Sequence, residues 1–204
     1  MEFRIVRVDD PASAELESRG WTVVSRSWGA NLDPTDPQVA QRVRSALTAG
    51  RASGITVREL GTADASAVAA VEAANHADYP HTPATRHEPV TEQHLQTLLD
   101  GGARAWGAEL HRTLIGVAVA TPKAADWWDI TFASVLAEHR GHGIGQALAA
   151  TIICDLAAHG ATRISTGGAA SNDVSRGAAL ALGAVLEPEW RTYAPASPAQ
   201  LLPW

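Results

Sequence analysis

The sequence is poor in cysteine and in lysine, and each scarcity excludes a kind of protein. Cys154 is the one cysteine among 204 residues, so the chain can form neither an internal disulfide nor a structural zinc site, and no metal is expected. Lys123 is the one lysine among 16 basic residues, and the formal net charge is -6. Binding of a nucleic-acid backbone needs clustered cations, so no nucleic-acid partner is expected. Phosphate groups must be held by arginine, protonated histidine or backbone amides.

Long apolar runs are also missing from the sequence. No stretch approaches the roughly 18 apolar residues of a membrane span, and the opening residues lack the apolar core of a signal peptide. We therefore expect a soluble, cytoplasmic protein that does not bind a membrane. Hydrophobic residues make up 46% of the chain and charged residues 19%, a balance that is typical of a globular domain with a sizeable core.

The length of 204 residues suits one domain with an appendage. We expect an N-terminal extension of strand, helix and strand over residues 1–52, the main domain over residues 53–196, and an irregular tail over residues 197–204. The extension contains too many apolar side chains to lie in solvent, among them Trp21 and Trp28. We expect it to pack on the main domain or on a second copy of the chain in a homodimer.

Part of the extension resembles the end of the chain. The segment from Leu16 to Trp28 predicts a short helix, a glycine and a strand, and the segment from Leu180 to Trp190 has the same order. Turn-forming residues from Asn31 to Pro37 follow the first of these segments. Glycine after a short helix is common, so chance explains the similarity as well as a vestigial half-repeat does.

The main domain predicts an alternation of strands and helices. Apolar periodicity and turn residues give strands over 55–60, 103–110, 113–121, 129–136, 162–166, 185–186 and 190–193, and helices over 63–75, 91–100, 144–160 and 175–182. His111 and Arg112 predict a tight hairpin between two of these strands. A polar loop around His76 to Pro83 joins the first two helices.

A glycine-rich loop carries the strongest functional signal. The strand that ends near Leu136 runs into Arg140-Gly141-His142-Gly143-Ile144-Gly145 and then into an amphipathic helix. Closely spaced glycines allow backbone N–H groups to converge, and the helix start adds free amides, so the loop suits a diphosphate. A Walker loop is excluded because the loop contains no lysine, and a dinucleotide fingerprint fits poorly because several strands precede it. A plain tight turn stays an alternative.

This loop resembles the central motif of the GNAT acyltransferase superfamily, in which a strand is followed by Arg/Gln-x-x-Gly-x-Gly/Ala and a helix. The resemblance covers about residues 55–193 and implies an α/β (α+β) fold with a mixed, mostly antiparallel central sheet flanked by helices. It implies that acetyl-CoA is the co-substrate. By resemblance, Val135 and Leu136 pair with pantetheine amides, and the pyrophosphate lies on Arg140, Gly141, His142, Gly143, Ile144 and Gly145.

The segment after this helix resembles the next motif of the superfamily but departs from it. Asn172 stands where an asparagine often faces the cofactor arm, and it is equally suited to be a helix N-cap. Ala179 stands where many members carry a tyrosine that protonates the leaving thiolate. A general acid is therefore missing at this position, although a thiolate can leave with help from solvent or another donor.

The acceptor site has several candidate residues. Transfer to an amine needs a group that removes a proton, and the candidate bases are Glu109, Asp129, Glu138 and His76. Each also has a structural explanation at a strand end or in a loop. By resemblance, the loop between the first helices covers the acceptor, which implicates His76, Asp78, Tyr79 and His81. Trp128, with Trp127, either lines the same cleft or packs in the core.

Two hypotheses for the function follow. The first is an acyl-CoA-dependent N-acyltransferase that transfers acetyl to a primary amine of a small molecule or peptide directly, in a ternary complex. Cys154 is not expected to act as a nucleophile, because it lies in the middle of a helix, where a thiol is usually buried and inert. The second is a non-catalytic CoA-binding or regulatory module, which the missing acid at Ala179 favours.

Overall fold

A computed structural model describes residues 2–85 and 87–196 as one sheet with helices on both faces. The strands are β1 (Arg4–Arg7), β2 (Trp21–Leu32), β3 (Ile55–Leu60), β4 (Arg104–Leu110), β5 (Thr113–Pro122), β6 (Trp127–Val135), β7 (Arg163–Ala169), β8 (Val185–Leu186) and β9 (Trp190–Pro195). The helices are α1 (Pro11–Ser18), α2 (Pro37–Ala52), α3 (Ala65–Asn75), α4 (Glu92–Asp100), α5 (Ile144–Ala158) and α6 (Asp173–Ala181).

The sheet is almost entirely antiparallel, which confirms the fold class implied by the resemblance. Its order is β1-β9-β2-β7-β6-β5-β4-β3, and β8 pairs with β2 beside this path. β6 and β7 form the one parallel pair among the described strands, because α5 carries the chain back across the sheet between them. The predicted hairpin at His111 and Arg112 is also present, and both residues have positive φ angles, 49° and 65°.

The N-terminal strands belong to the same sheet as the rest of the chain. β2 lies between β7 and β9, and β9 lies between β1 and β2. β2 is longer than the predicted strand 21–28, because Asn31 and Leu32 pair with Ser165 and Ile164. The turn predicted to start at Asn31 therefore starts at Asp33. The division at residue 53 into an extension and a main domain stays a prediction.

Side-chain caps define where four helices begin. Asp10 and Asp36 each accept a hydrogen bond from the backbone N–H two residues later, and each is followed by a proline in the first helical position. Thr91 caps α4 by accepting from the backbone N–H of His94, and Asn172 caps α6 by accepting from that of Ser175. These short polar residues satisfy N–H groups that have no partner within the helix.

Two apolar clusters hold the layers together. On one face, Leu148, Ile152 and Leu156 of α5 lie in a buried cluster with Val43 of α2. On the other face, residues of α3 and α4 pack against β3, β4 and β5 in a second cluster that contains the fully buried Leu95. Both helical layers thus cover β3 to β6, and they position the loop before α5 at one end of the sheet.

Several predicted boundaries differ from the observed ones. β6 begins at Trp127, so the paired tryptophans lie within the strand rather than before it, and β7 continues to Ala169 beyond the predicted end at Thr166. β9 continues to Pro195. The predicted tail, residues 197–204, lies outside the described residues.

Candidate functional site

The glycine loop forms an open turn at the start of α5. Gly141 and Gly143 have φ angles of 81° and 78°, a region that residues with a Cβ atom rarely adopt, which explains why glycine stands at both positions. A Cβ atom added at Gly143 or Gly145 would meet no atom within 4 Å, so the surface of the loop is free. Gly143 is the N-cap of α5 and provides no side-chain cap, so the first N–H groups of the helix border this open surface. Such a surface suits an anion.

A gap between two strands opens beside this loop. The pairing of β6 with β7 ends at Ile130 and Thr166, although β6 continues to Val135 and β7 to Ala169. Beyond Ile130, β6 pairs with β5 but not with β7, and a short turn at Ala137–His139 joins it to the glycine loop. Extended backbone with free amide groups can pair with a ligand that itself carries amides, so the gap and the loop together form a continuous candidate site. Val135 and Leu136, predicted to contact the cofactor, lie at this end of β6. The Val135 carbonyl oxygen accepts from Nε of Arg140 and the Leu136 N–H donates to the carbonyl oxygen of Ile115, so these two groups are already engaged within the protein.

The side chain of Arg140 connects the loop to the predicted acceptor residues. Its Nε atom donates to the carbonyl oxygen of Val135 at 2.8 Å, and its Nη2 atom donates to Oδ1 of Asn75 at 2.8 Å. The same nitrogen lies 2.7 Å from Oδ2 of Asp78. The guanidinium group thus holds the end of β6 and the loop after α3 together, while the loop amides remain available for a ligand.

A cluster of buried polar groups lies beneath the predicted acceptor loop. The side chain of Glu72 on α3 is fully buried, and its carboxylate accepts hydrogen bonds from the Tyr79 hydroxyl at 3.1 Å and from Nε2 of His87 at 2.5 Å. The rings of Tyr79 and His87 stack with centroids 4.0 Å apart. Burial, followed by the nearby Glu72 carboxylate, raises the pKa of Tyr79, so its hydroxyl stays protonated.

Sequence reasoning found Tyr79 but missed Glu72 and His87. The available signal for Glu72 was its position on α3, where it shares the apolar face with Val68, Val71 and Asn75, all of which are buried. A charged residue on such a face is rare unless it is paired. His87 gave no local signal, because its contact with Glu72 spans 15 residues of chain.

The other predicted acceptor residues lie near this cluster. The rings of His76 and His81 meet edge to face at 5.0 Å, and Nδ1 of His76 is buried without a partner among the described residues. His81 also borders a cleft of about 500 Å³, whose opposite wall is formed by residues 23–26 of β2. The N-terminal segment therefore lines a cleft next to the predicted acceptor loop.

The three predicted carboxylate bases lie apart from one another. Glu109 on β4 accepts from Nε of Arg58 at 2.8 Å, and Asp129 accepts from the Ser165 hydroxyl at 2.7 Å in the paired half of β6. Glu138 is exposed in the turn that precedes the glycine loop. The structure therefore does not bring these carboxylates together, and the catalytic role of each stays a prediction.

Trp127 and Trp128 lie in β6, and Cys154 lies in α5. Trp128 is partly buried against the α5 cluster, and Trp127 donates to the Ser165 hydroxyl at 3.0 Å. Both lie at the paired end of β6, away from the glycine loop. Cys154 lies on the exposed face of α5, so the burial that the sequence predicted is wrong, but partial desolvation still raises its pKa and keeps it a thiol.

Neither a metal-binding group nor a membrane-spanning helix is found in the described part of the chain. Within residues 2–85 and 87–196, no group of three or more His, Cys, Asp or Glu side chains is placed to hold a metal ion. None of the helices described is long and apolar enough to cross a membrane.

Comparison with known proteins identifies what the chain is similar to. The family model described as "Acetyltransferase (GNAT) family" matches residues 68–184, more than half of the chain. A search of curated proteins finds no match.

Similar solved structures share the fold at low sequence identity. A GCN5-related N-acetyltransferase from Sphaerobacter thermophilus has a TM-score of 0.65 and 16% identity, with 94% of this chain and 58% of that chain covered. A GCN5-related N-acetyltransferase from Kribbella flavida has a TM-score of 0.60 and 17% identity, with coverage of 96% and 68%. A tandem GNAT protein from the clavulanic acid biosynthesis pathway has a TM-score of 0.65 and 18% identity, with coverage of 96% and 65%. The chain thus spans less than two thirds of two of these proteins.

Proposed function

The chain belongs to the GNAT acetyltransferase family, and we propose that it transfers an acyl group, in the simplest case acetyl, from acetyl-CoA to a primary amine. The acceptor is a small molecule or a peptide, and both substrates are bound together so that transfer is direct. The observation that carries this proposal is the open glycine loop at the start of α5, next to the gap between β6 and β7.

The loop and the gap suit the two parts of acetyl-CoA. The free N–H groups at Gly143 to Gly145 would hold the pyrophosphate, since an anion is stabilised by the backbone amides and the dipole at a helix start. The half of β6 that has no β7 partner would pair with the amides of the pantetheine arm. This arm would place the thioester beside the segment from Phe132 to Val135, and the ring of His87 contacts this segment at Phe132.

The reaction needs a neutral amine and a developing negative charge that is stabilised. The amine attacks the thioester carbonyl, and the C–S bond breaks as the C–N bond forms. A backbone N–H at the unpaired edge of β6 would stabilise the oxyanion. Since Ala179 carries only a methyl group, the leaving thiolate receives its proton from the attacking nitrogen or from solvent rather than from this position.

A second candidate function is a CoA-binding module without catalysis. The absence of a proton donor at Ala179 favours it. A transfer assay over a panel of primary amines, combined with a calorimetric titration of CoA, separates the two: turnover supports the enzyme, whereas CoA binding without turnover supports the module.

The glycine loop itself is tested by Gly143→Val. A side chain at this position would project into the space that the pyrophosphate needs, and loss of two or three charge-assisted amide contacts, each worth roughly 1.5–3 kcal/mol, should weaken CoA binding at least about a hundredfold. Calorimetry with CoA measures the loss.

Gly160→Val is a matched control for the strain in this variant. Gly160 follows the other end of α5, has a φ angle of 89°, and also has no atom within 4 Å of an added Cβ atom. Both variants should lose similar stability, but the control should bind CoA normally. A folded Gly143→Val variant that binds CoA as tightly as the parent would show that the loop is only a structural turn.

A further inference from the structure

We propose that Glu72 and His87 form a carboxylate–imidazole pair in which Nδ1 of His87 accepts the proton of the acceptor amine. This proposal rests on the proposed function, and it names a proton acceptor at the site that Glu109, Asp129 and Glu138 do not provide.

The geometry of the pair fixes which ring nitrogen is free. Nε2 of His87 lies 2.5 Å from Oε2 of Glu72, a carboxylate with no exposed surface. A buried carboxylate accepts hydrogen bonds, so the neutral imidazole carries its hydrogen on Nε2. Within the described residues, Nδ1 of His87 has no hydrogen-bond partner, and its lone pair is available. The carboxylate therefore orients the ring so that Nδ1 is the free nitrogen.

The difference in exposure between the two residues fits a division of roles. Glu72 is fully buried, whereas 15% of the His87 side chain is exposed. The other oxygen of Glu72 accepts from the Tyr79 hydroxyl, whose ring stacks on His87. Glu72 cannot touch a substrate and acts only through its partners, so it is a positioning residue. His87 is the group that can reach a ligand.

The pair lies against the half of β6 that borders the gap. The ring of His87 is 5.1 Å from that of Phe132, two residues beyond the last β6 residue that pairs with β7. Ser134, on the same strand, accepts from Asn75, which in turn accepts from Arg140 of the glycine loop. The strand that His87 contacts is thus linked to the predicted cofactor loop by two hydrogen bonds, from Arg140 to Asn75 and from Asn75 to Ser134.

The proton balance of the step is simple. The acceptor enters as an ammonium ion and gives one proton to Nδ1 of His87. Its nitrogen lone pair then forms the C–N bond, the C–S bond breaks, and the second nitrogen proton goes to the thiolate. The imidazolium releases the first proton to solvent. The products are an amide, a thiol and one proton.

Among the described residues, the groups that face His87 are Glu72 from α3, Tyr79 from the following loop and Phe132 on β6. A proton acceptor is needed only while the acceptor amine is an ammonium ion, so the contribution of His87 should be largest at neutral pH and smaller where the amine is already neutral.

The test is a set of pH profiles of kcat/KM with acetyl-CoA and amino acids, polyamines and amino sugars as acceptors. His87→Gln should lower kcat/KM at neutral pH by roughly 100- to 1000-fold, the usual contribution of a general base. The loss should shrink at alkaline pH, where the amine is neutral without help. Glu72→Gln should cause a smaller loss, because the ring is no longer oriented by a carboxylate, and this loss should also shrink at alkaline pH. A calorimetric titration of CoA should be unchanged in both variants.

His94→Gln is the matched control, because His94 lies on the exposed surface of α4. It should behave as the parent. If His87→Gln keeps kcat/KM within about twofold of the parent, or loses activity equally at all pH values, the pair is structural and the proposal is overturned while the proposed function stands. If the parent binds CoA but acetylates no amine, the proposed function falls, and the role of the pair falls with it.

Discussion

Residues 4–32 and residues 163–195 follow the same local plan but differ in what lies beside them. Each region begins with a strand, β1 or β7, and continues with a helix that has a side-chain N-cap, α1 or α6. A glycine of positive φ follows the helix, and the region ends with a strand, β2 or β9, that pairs with the other region. The last strand of each pairs with the first strand of the other: β2 with β7, and β9 with β1. The half-repeat raised by the sequence stays a prediction, but the shared plan extends from the strands to the helix caps.

The difference lies in the first strands. β7 has β6 on its other side, and the two diverge after four paired residues, which opens the candidate site. β1 is the edge of the described sheet, and the nearby side chains of Phe3 and Ile5 are 40% and 49% exposed. The comparison teaches that a strand, a cap and a helix do not make a ligand site by themselves. In this fold the candidate site lies where a second strand, β6, separates from β7.

Among the changes that test this comparison, deleting residues 1–32 should destabilise the protein most. The deletion removes β1 and β2, so β7 loses one partner and β9 loses both. Unpaired strands in the middle of a sheet cannot be solvated without loss of packing, so we expect the truncated chain to aggregate or to unfold without a cooperative transition. Soluble yield, circular dichroism and size-exclusion chromatography measure this. A chain that lacks only residues 1–3 is the control, and a monodisperse truncated protein with an unchanged melting temperature would contradict the prediction.

The two glycines that follow the helices should respond unequally to alanine. Gly20 and Gly183 have φ angles of 80° and 98°, so alanine at either position should cost about 1–2 kcal/mol of unfolding free energy. At Gly183 the added Cβ atom would lie 2.9 Å from Cγ2 of Val39, whereas at Gly20 it would meet nothing within 4 Å. The Gly183 variant should therefore be the less stable in urea denaturation. Equal losses would mean that Val39 moves aside freely.

Replacing the helix caps Asp10 and Asn172 should change stability least, but the CoA affinities of the two variants separate two possible roles of Asn172. Asp10→Ala and Asn172→Ala each remove a cap, so each should cost about 1 kcal/mol. If Asn172 also faces the cofactor arm, its variant alone should bind CoA more weakly. Calorimetry on both variants decides between the two roles, because equal CoA affinity in both would leave Asn172 as a cap only.

Local chemistry explains which parts of the site the sequence could predict. Gly141 and Gly143 could be recognised because a glycine pattern before a helix reflects the backbone angles that the loop adopts. The caps Asp10 and Asn172 could be recognised because Asp and Asn before a helix accept hydrogen bonds from its first N–H groups. Glu72 gave a weak signal, as a charged residue on an apolar helix face.

Long-range contacts explain what the sequence could not predict. The contact of His87 with Glu72 depends on how a loop folds back onto α3, and the end of β2 at Leu32 depends on pairing with a strand more than 130 residues later. Turn propensity placed the turn at Asn31, but pairing with Ser165 extended the strand past it. Neither contact leaves a pattern in neighbouring residues.

The exchange of strands between the two ends of the chain also determines when the protein can fold. β2 is synthesised more than 130 residues before its partners β7 and β9. Until these strands follow, both edges of β2 are without their partners, and closing such long loops is slow. We therefore expect β2 to be the segment most exposed to aggregation and to chaperone binding until β7 and β9 have been synthesised.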